Sequence, residues 1–134
     1  MNKRSVIFLL LAALVFMLSC GKNDEDLAKE EKLLGHWIAY DDNGNQEQNI
    51  PEYFFEEDNE GYTSLDGSHE EMNWEVVGGQ LKVYYDKAPE NYLIGYDKYN
   101  SRSLFQIHEL EDDYLHVTQF YNDGFQADLE FYRQ

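Results

Sequence analysis

Apolar and polar residues alternate most clearly on either side of Gly78-Gly79. Glycine tolerates the positive φ angles of a two-residue type I′ turn, so this pair predicts a β-hairpin in which Val77 faces Gln80. The register gives a row of apolar pairs on one face of the hairpin: Val76 with Leu81, Trp74 with Val83, and Met72 with Tyr85. Glu75 and Lys82 pair on the other face, which is therefore charged.

A second alternating run continues to the end of the chain. Asn122-Asp123-Gly124 predicts a three-residue loop with Gly124 in the left-handed conformation and Tyr121 opposite Phe125, and a three-residue turn is predicted at Glu111–Asp113. The resulting inward pairs are Val117 with Leu129, Leu115 with Phe131, Ile107 with Val117, and Phe105 with Gln119. A two-residue loop would instead set Val117 opposite Glu130 and mix core with surface, so burial favours the longer loop.

Weaker patterns complete the expected strands. They lie at Trp37–Tyr40, Glu52–Glu56, Tyr62–Leu65 and Tyr92–Tyr96, with turns near Asn43-Gly44, Asp58–Gly61 and Asn100-Ser101. Successive hairpins with one apolar face predict an all-β fold, an antiparallel up-and-down β-barrel of about eight strands. A two-sheet β-sandwich is the alternative.

The first residues have the pattern of a cleaved export signal. Lys3 and Arg4 precede an apolar run, Val6–Leu18, whose 13 residues are fewer than a membrane-spanning helix needs. Ser19 and Cys20 fit the end of a bacterial lipobox, although the two residues before them depart from its usual form. We therefore predict a lipoprotein signal peptide at residues 1–19 and lipidation of Cys20, which would attach the chain to a membrane.

Residues 20–33 are predicted to hold the lipidated cysteine, an acidic tether and a short helix. The stretch Gly21–Asp26 is polar and acidic, which is typical of a soluble spacer. Such a run also resembles the export signals of Bacteroidota-type lipoproteins displayed outside the outer membrane. Leu27–Leu34 predicts two turns of helix, with Asp26 as the N-cap and Gly35 as the stop, that plug one end of the fold. The folded domain is then expected at residues 34–134.

Composition limits the partners of this domain. Loss of residues 1–19 leaves 8 basic and 27 acidic side chains and a net charge of −19. Nucleic acid and anionic headgroups are disfavoured on electrostatic grounds, whereas a basic protein partner is compatible. Cys20 is the sole cysteine, so no intrachain disulfide is expected. The 11 Tyr, 8 Phe and 2 Trp favour strands over helices.

The two ends of the domain resemble the lipocalin superfamily. Leu34-Gly35-His36-Trp37 is similar to the Gly-x-Trp opening of that superfamily, and Phe131-Tyr132-Arg133 is similar to its closing strand. The resemblance implies that Arg133 packs across Trp37 where the barrel closes. The spacing between these ends resembles the small lipocalin-like domains of Bacteroidota lipoproteins, which implies an outer-membrane location, on either face, and binding rather than catalysis.

The interior is expected to be crowded with rings. The aromatic side chains assigned to inward positions are Trp37, Phe55, Trp74, Tyr85, Phe105, Tyr121, Phe125 and Phe131. An eight-stranded barrel is just wide enough to be filled or to hold one small ligand, and large rings favour the filled case. Gln119 and Tyr121 are polar exceptions that mark a pocket mouth, with Tyr85 and Phe125 as further ligand contacts. Alternatively, Gln119 is simply buried and paired with backbone groups.

One outward row could carry metal chemistry. The predicted registers align His108, His116 and Glu130 across three strands, and two histidines with a carboxylate can bind zinc or iron. A solvated contact between His116 and Glu130 with His108 beside it is the favoured interpretation, so no metal site is predicted and the row stays a weak candidate. Asp41–Asn45 resembles half of a calcium loop, but Gln46 replaces the glycine that the loop needs, so an Asn-Gly turn is expected.

Three functions remain open. The leading prediction is a lipid-anchored barrel that binds a small apolar or amphipathic ligand near Gln119 and Tyr121. The second is a protein-interaction module that docks a basic partner on its acidic outer face and has no ligand cavity. The third is a metal-dependent enzyme at the histidine row. No motif for a cofactor or for catalysis is evident, so no cofactor and no enzymatic activity are predicted.

Overall fold

Eight antiparallel strands and one short helix make up the part of the chain that the structure describes. In this computed structural model that part comprises residues 22–86, 102–121 and 124–134. Helix α1 is Asp24–Leu33, and a single 3₁₀ turn spans Glu57–Asn59. The strands are β1 Gly35–Ala39, β2 Glu52–Phe55, β3 Glu60–Leu65, β4 Ser68–Val77, β5 Gln80–Tyr85, β6 Arg102–Leu110, β7 Tyr114–Phe120 and β8 Gln126–Arg133. The strand predicted at Tyr92–Tyr96 and the turn at Asn100-Ser101 fall outside the described residues.

The strands form a closed barrel in sequence order. Each strand pairs with the next, and β1 pairs with β8 with Trp37 opposite Arg133 and Ala39 opposite Phe131. Closure pairs both edges of the sheet. The predicted barrel is confirmed, and the sandwich alternative is wrong.

Two of the predicted hairpins have the expected register. Gly78 and Gly79 have φ angles of 60° and 76°, and Val77 pairs with Gln80. Between β7 and β8, Gly124 has a φ of 83° and the backbone N–H of Tyr121 donates to Phe125 O at 3.0 Å. These turns set the apolar pairs Trp74 with Val83, Val117 with Leu129, and Leu115 with Phe131.

The third hairpin, between β6 and β7, differs from the prediction. Glu111 N–H donates to Tyr114 O at 2.8 Å, which closes a two-residue loop instead of a three-residue turn. A register shift between Ile107 and Glu109 offsets the missing loop residue, so Ile107 still pairs with Val117 as expected. His108 is the extra residue of this β-bulge, and Glu109 is paired with His116. The predicted pairing of His108 with His116 is therefore wrong.

Helix α1 covers one end of the barrel, but it begins three residues earlier than expected. Asn23 is the N-cap, and its side chain accepts from Asp26 N–H at 2.9 Å. The acidic residues Asp24–Asp26 thus form the first turn of the helix and are not part of a spacer. Asp26 is only 2% exposed.

The buried carboxylates of α1 bond to the barrel. Asp26 accepts hydrogen bonds from Gly78 N–H at 2.9 Å and Gly79 N–H at 3.1 Å. Glu30 accepts from Val76 N–H at 2.8 Å. Burial opposes ionisation of Asp26, but hydrogen bonds from the backbone of Gly78, Gly79 and Asn23, together with the charge of Lys29, outweigh it and hold its pKa below the ordinary value. The helix is therefore attached through its acidic side chains.

Arg133 connects the pairing of β1 with β8, which we call the seam of the barrel, to the end of this helix. Its guanidinium carbon lies 4.4 Å from the centre of the Trp37 ring, in the stacking that the resemblance implied. The guanidinium also donates to the backbone carbonyls of Leu34, Lys32 and Asp112. A Cβ at Gly35, the first residue of β1, would lie 2.5 Å from this guanidinium, and the φ of 129° there is one that other residues rarely adopt, so glycine fits this position best.

We expect Asp26→Asn to destabilise the fold by about 1–3 kcal/mol, because an amide cannot satisfy both glycine N–H groups as a carboxylate does. Urea unfolding at pH 7 measures the loss. Asp24→Asn is the matched control, since Asp24 is exposed in the same helical turn, and it should change stability by less than about 0.5 kcal/mol.

The effect of Asp26→Asn should depend on pH. The folded-state pKa of Asp26 is lowered from 3.8, so its ionised form contributes stability above that value. This contribution is lost as the pH falls from 3.8 through the folded-state pKa. The stability difference between wild type and Asp26→Asn should therefore narrow below pH 3.8, and a constant difference at all lower pH values would contradict the assignment.

Arg133→Lys should also be destabilising, by about 1–3 kcal/mol, although it keeps the charge. An ammonium lacks the planar fork that donates to three carbonyls while stacking on Trp37. Arg102→Lys, at a half-buried position of β6, is the control and should cost less than about 0.5 kcal/mol. Equal losses in thermal unfolding for the two variants would argue against a special role for the seam.

Candidate functional site

Side chains of the described strands nearly fill the interior of the barrel. A cavity in the lumen has a volume of about 10 Å³. It is lined by Trp37, Tyr53, Phe55, Leu81, Phe105, Leu115, Val117 and Phe131. A single water molecule needs a cavity of roughly 10–15 Å³, so this cavity is too small for an organic ligand.

Aromatic packing around Tyr53 accounts for the small cavity. The ring of Tyr53 lies edge-on to Phe105 at 5.7 Å and to Phe131 at 5.6 Å between ring centres. It also stacks with Phe55 at 5.8 Å. Tyr53 was absent from the predicted inward rings. It lies two residues before Phe55 in β2, and successive side chains of a strand point to opposite faces, so the alternation alone could have identified it as inward.

The four predicted ligand contacts do not line this cavity. Gln119 and Tyr85 are buried, at 2% and 6% exposure, and Tyr121 is half-buried. Phe125 is 69% exposed, so its predicted inward position is wrong. It precedes β8 in the hairpin turn, where its ring contacts Tyr121 with 6.3 Å between ring centres.

The histidine row is also rearranged. The rings of His108 and His116 are close, with centres 4.9 Å apart, but His108 Nε2 lies 2.6 Å from Thr118 Oγ1. Thr118 donates in turn to Asp128 Oδ1 at 2.7 Å. Asp128 Oδ1 is also 4.0 Å from His116 Nε2. These contacts form a hydrogen-bonded network on the outer surface of β6, β7 and β8.

Glu130 has a different partner. Its Oε1 accepts the hydroxyl of Tyr114 at 2.8 Å, and this hydrogen bond is the largest of the effects that raise the pKa of Tyr114 to about 12. Glu130 does pair with His116 in the ladder, as predicted. Within the described ranges, no three His, Cys, Asp or Glu side chains are grouped to hold a metal ion. The structure therefore separates the candidate row, because His108 contacts Thr118 and Glu130 contacts Tyr114.

The segment Asp41–Asn45, which resembles half of a calcium loop, forms a turn. Asp41 Oδ1 accepts from the backbone N–H groups of Asn43 and Asn45, both at 2.9 Å. Such a bond pattern is the usual way in which Asp stabilises a turn. Asp41 N–H donates to Asn45 O at 2.8 Å and completes it.

The outer surface of β1–β4 carries a feature that the sequence analysis missed. Four rings stack across the four strands, with centre distances of 4.0 Å for His36 and Phe54, 4.2 Å for Phe54 and Tyr62, and 4.3 Å for Tyr62 and His69. Their planes are inclined by 14°, 12° and 24°. We call these four residues the aromatic ridge.

Carboxylates surround the ridge, and no lysine or arginine is present in this part of the chain. Between Lys32 and Lys82 the sequence has twelve Asp and Glu residues and neither Lys nor Arg. His36 Nε2 lies 2.9 Å from Glu52 Oε1. The charged side chains that β1–β4 themselves contribute are therefore all acidic apart from the two histidines.

Two clefts open on this wall. One, of about 240 Å³, is lined by Tyr62 and His69 together with the acidic residues Glu56, Glu60, Glu71 and Asp86. The other, of about 410 Å³, is lined by polar residues that include Glu47, Glu52 and Asp66. Both clefts are much larger than the lumen cavity. Among the described residues, the space that a binding partner could enter therefore lies on the outside of the barrel.

A comparison with solved structures identifies the fold. A lipocalin-like protein from Bacteroides uniformis matches with a TM-score of 0.53 and 16% sequence identity, over 77% of this chain and 99% of that one. No family model and no curated protein matches the sequence. At this identity the match supports the lipocalin-like barrel and leaves the ligand of this chain open.

We expect Phe55→Ala to open the lumen and to lower the free energy of unfolding by about 3–5 kcal/mol. The variant should also bind xenon, as engineered apolar cavities do, in xenon NMR. Phe54→Ala is the matched control because the neighbouring ring points outward, and it should cost about 1 kcal/mol and bind no xenon. Xenon binding by the wild type at the level of Phe55→Ala would contradict a filled lumen.

Proposed function

We propose that this chain is a lipid-anchored protein of the bacterial outer membrane that binds a basic protein partner on its acidic outer surface. The filled lumen carries the proposal. A barrel whose described interior has a cavity of about 10 Å³ has little room for the apolar ligand that its fold class suggests. Binding at the outer wall needs no such space.

The charge distribution supports a basic partner. The whole chain has a formal net charge of −17, and the segment between Lys32 and Lys82, which forms β1–β4, contains no Lys or Arg of its own. A surface of one sign accelerates encounter with an oppositely charged protein and disfavours acidic competitors. Long-range attraction of this kind weakens as salt screens it, over about 8 Å at physiological ionic strength.

The position of α1 supports attachment close to the bilayer. Lys22 already belongs to the folded body, because its Nζ lies 2.7 Å from Glu30 Oε2 and 4.0 Å from Glu75 Oε2. If Cys20 carries the lipid, only Gly21 separates it from Lys22, a span of at most about 7 Å. Such a short link would hold the helix end of the barrel near the headgroups. No helix among the described residues is long and apolar enough to span a membrane.

The anchor is tested by expressing the full-length chain in a bacterium that processes lipoproteins. We expect intact mass spectrometry of the protein from the membrane fraction to show cleavage before Cys20 and added acyl chains. Cys20→Ala should lack the acyl mass and leave the washed membrane fraction. Cleavage at another residue, or retention of Cys20→Ala in membranes, would contradict lipid anchoring.

The choice between an outer surface and a lumen site is tested on the same purified protein. Mass spectrometry after denaturation should release no stoichiometric small molecule. Cross-linking in intact envelopes should yield a discrete partner of high isoelectric point, and its yield should fall when salt is raised. A stoichiometric apolar compound would overturn the proposal in favour of a ligand-binding barrel, and a stoichiometric metal would overturn it in favour of a site at His108 and His116.

A further inference from the structure

The aromatic ridge presents a continuous row of stacked rings on the outside of a highly charged wall. Three of its side chains, His36, Phe54 and Tyr62, are half-buried, and His69 is exposed. The rings stack on one another, so the edges that project away from the sheet are the parts available to a partner. Aromatic rings are enriched at the centres of protein interfaces because they bury a large area with few rotatable bonds.

Strand registers place carboxylates on both sides of these rings. On one side Glu52 pairs with Ser64, which pairs with His69. On the other side Glu60 pairs with Asn73, and Glu56 N–H donates to Glu60 O at 2.8 Å. Directly beyond Tyr62 in the same row lies Glu71. Since neighbouring strands are about 4.8 Å apart, each ring has a carboxylate within reach of a long side chain bound along the ridge.

We propose that the aromatic ridge and its flanking carboxylates form the docking surface for an arginine-rich segment of the partner protein. This inference rests on the proposed function and adds its location and the chemistry of its partner. The aliphatic stem of an arginine would cover the ring edges, while its guanidinium reaches Glu60 and Glu71 on one side or, on the other, Glu52, which also lies 2.9 Å from His36 Nε2.

Arginine fits this surface better than lysine for two physical reasons. Its planar guanidinium can pair with a carboxylate through two parallel hydrogen bonds, whereas an ammonium acts as a point charge. It is also more weakly hydrated, so less free energy is lost when it packs against rings. The strands of the wall contribute no Lys or Arg, although His36 contacts Glu52 and Lys22 lies 4.0 Å from Glu75 at the edge of the wall.

The test uses the intact lipoprotein in a neutral detergent and three fluorescent twelve-residue peptides in which serine alternates with arginine, lysine or glutamate. Anisotropy at about 50 mM NaCl should show the arginine peptide binding at least about threefold more tightly than the lysine peptide. The glutamate peptide should not bind. Raising NaCl to about 300 mM should weaken the arginine peptide at least about tenfold, because exposed charges are screened.

Variants then locate the site. Tyr62→Ala leaves the net charge unchanged and should weaken the arginine peptide about five- to tenfold. Its matched control is Tyr132→Ala, which removes an exposed tyrosine that contacts two other rings, Tyr40 and Tyr114, elsewhere on the barrel.

Two further variants separate charge from apolar surface. Glu71→Gln should weaken binding about fivefold, and Glu25→Gln, at an exposed position of α1, should change it less than about twofold. Phe54→Leu keeps apolar bulk and a folded barrel, and should weaken binding about threefold.

Three other outcomes would each contradict a different part of the proposal. Equal losses in ridge and control variants would mean that the peptide binds diffusely over the acidic surface, which removes the ridge but leaves the proposed function standing. Equal affinity for the lysine and arginine peptides would overturn the preference for arginine. Failure of both basic peptides to bind the wild type would count against the proposed function itself.

Discussion

Pairing of the first strand with the last is the constraint on which this structure depends. The seam between β1 and β8 aligns Trp37 with Arg133, and the same arginine donates to carbonyls at the end of α1. Trp37 Nε1 donates to Leu33 O at 2.8 Å, so the tryptophan is also bonded to the helix. One cation and one ring therefore join barrel closure, helix docking and the turn between β6 and β7, where Asp112 accepts from Arg133. Without that seam, β1 and β8 would be open edges that expose unpaired backbone groups.

The acidic composition has a structural role as well as a role in recognition. Asp26 and Glu30 are buried, and their carboxylates accept backbone N–H groups near the β4–β5 hairpin. A buried charge is costly unless hydrogen bonds compensate for it, and here the N–H groups at the end of the barrel supply them. The helix thus covers the barrel with the buried Leu33 and also with polar groups, in a region where apolar side chains alone would leave those N–H groups unsatisfied.

Period-two patterns and glycine turns predicted most of the barrel because burial of one face fixes the strand register. The hairpin at Gly78-Gly79 and the pairing of Val117 with Leu129 followed from these rules alone. The β-bulge at His108 did not follow from them. The extra residue in β6 offsets the shorter β6–β7 loop, so Ile107 pairs with Val117 in either case and the apolar pattern gives no sign of the bulge. The partners of Asp26 were equally hidden, since they lie some fifty residues away, at Gly78 and Gly79.

The candidate site was harder to predict than the fold for a related reason. Burial constrains residue type at inward positions, whereas the aromatic ridge lies on outward positions of β1–β4, where the weak alternation of the sequence does not fix a register. The run Tyr53-Phe54-Phe55 in β2 shows the connection. Successive side chains of a strand point to opposite faces, so three consecutive rings supply two to the lumen and one to the outer wall. The inward pair helps to fill the cavity that a ligand would need, while Phe54 lies between His36 and Tyr62 in the ridge. The same short segment therefore removes space for binding inside the barrel and supplies apolar surface for binding outside it.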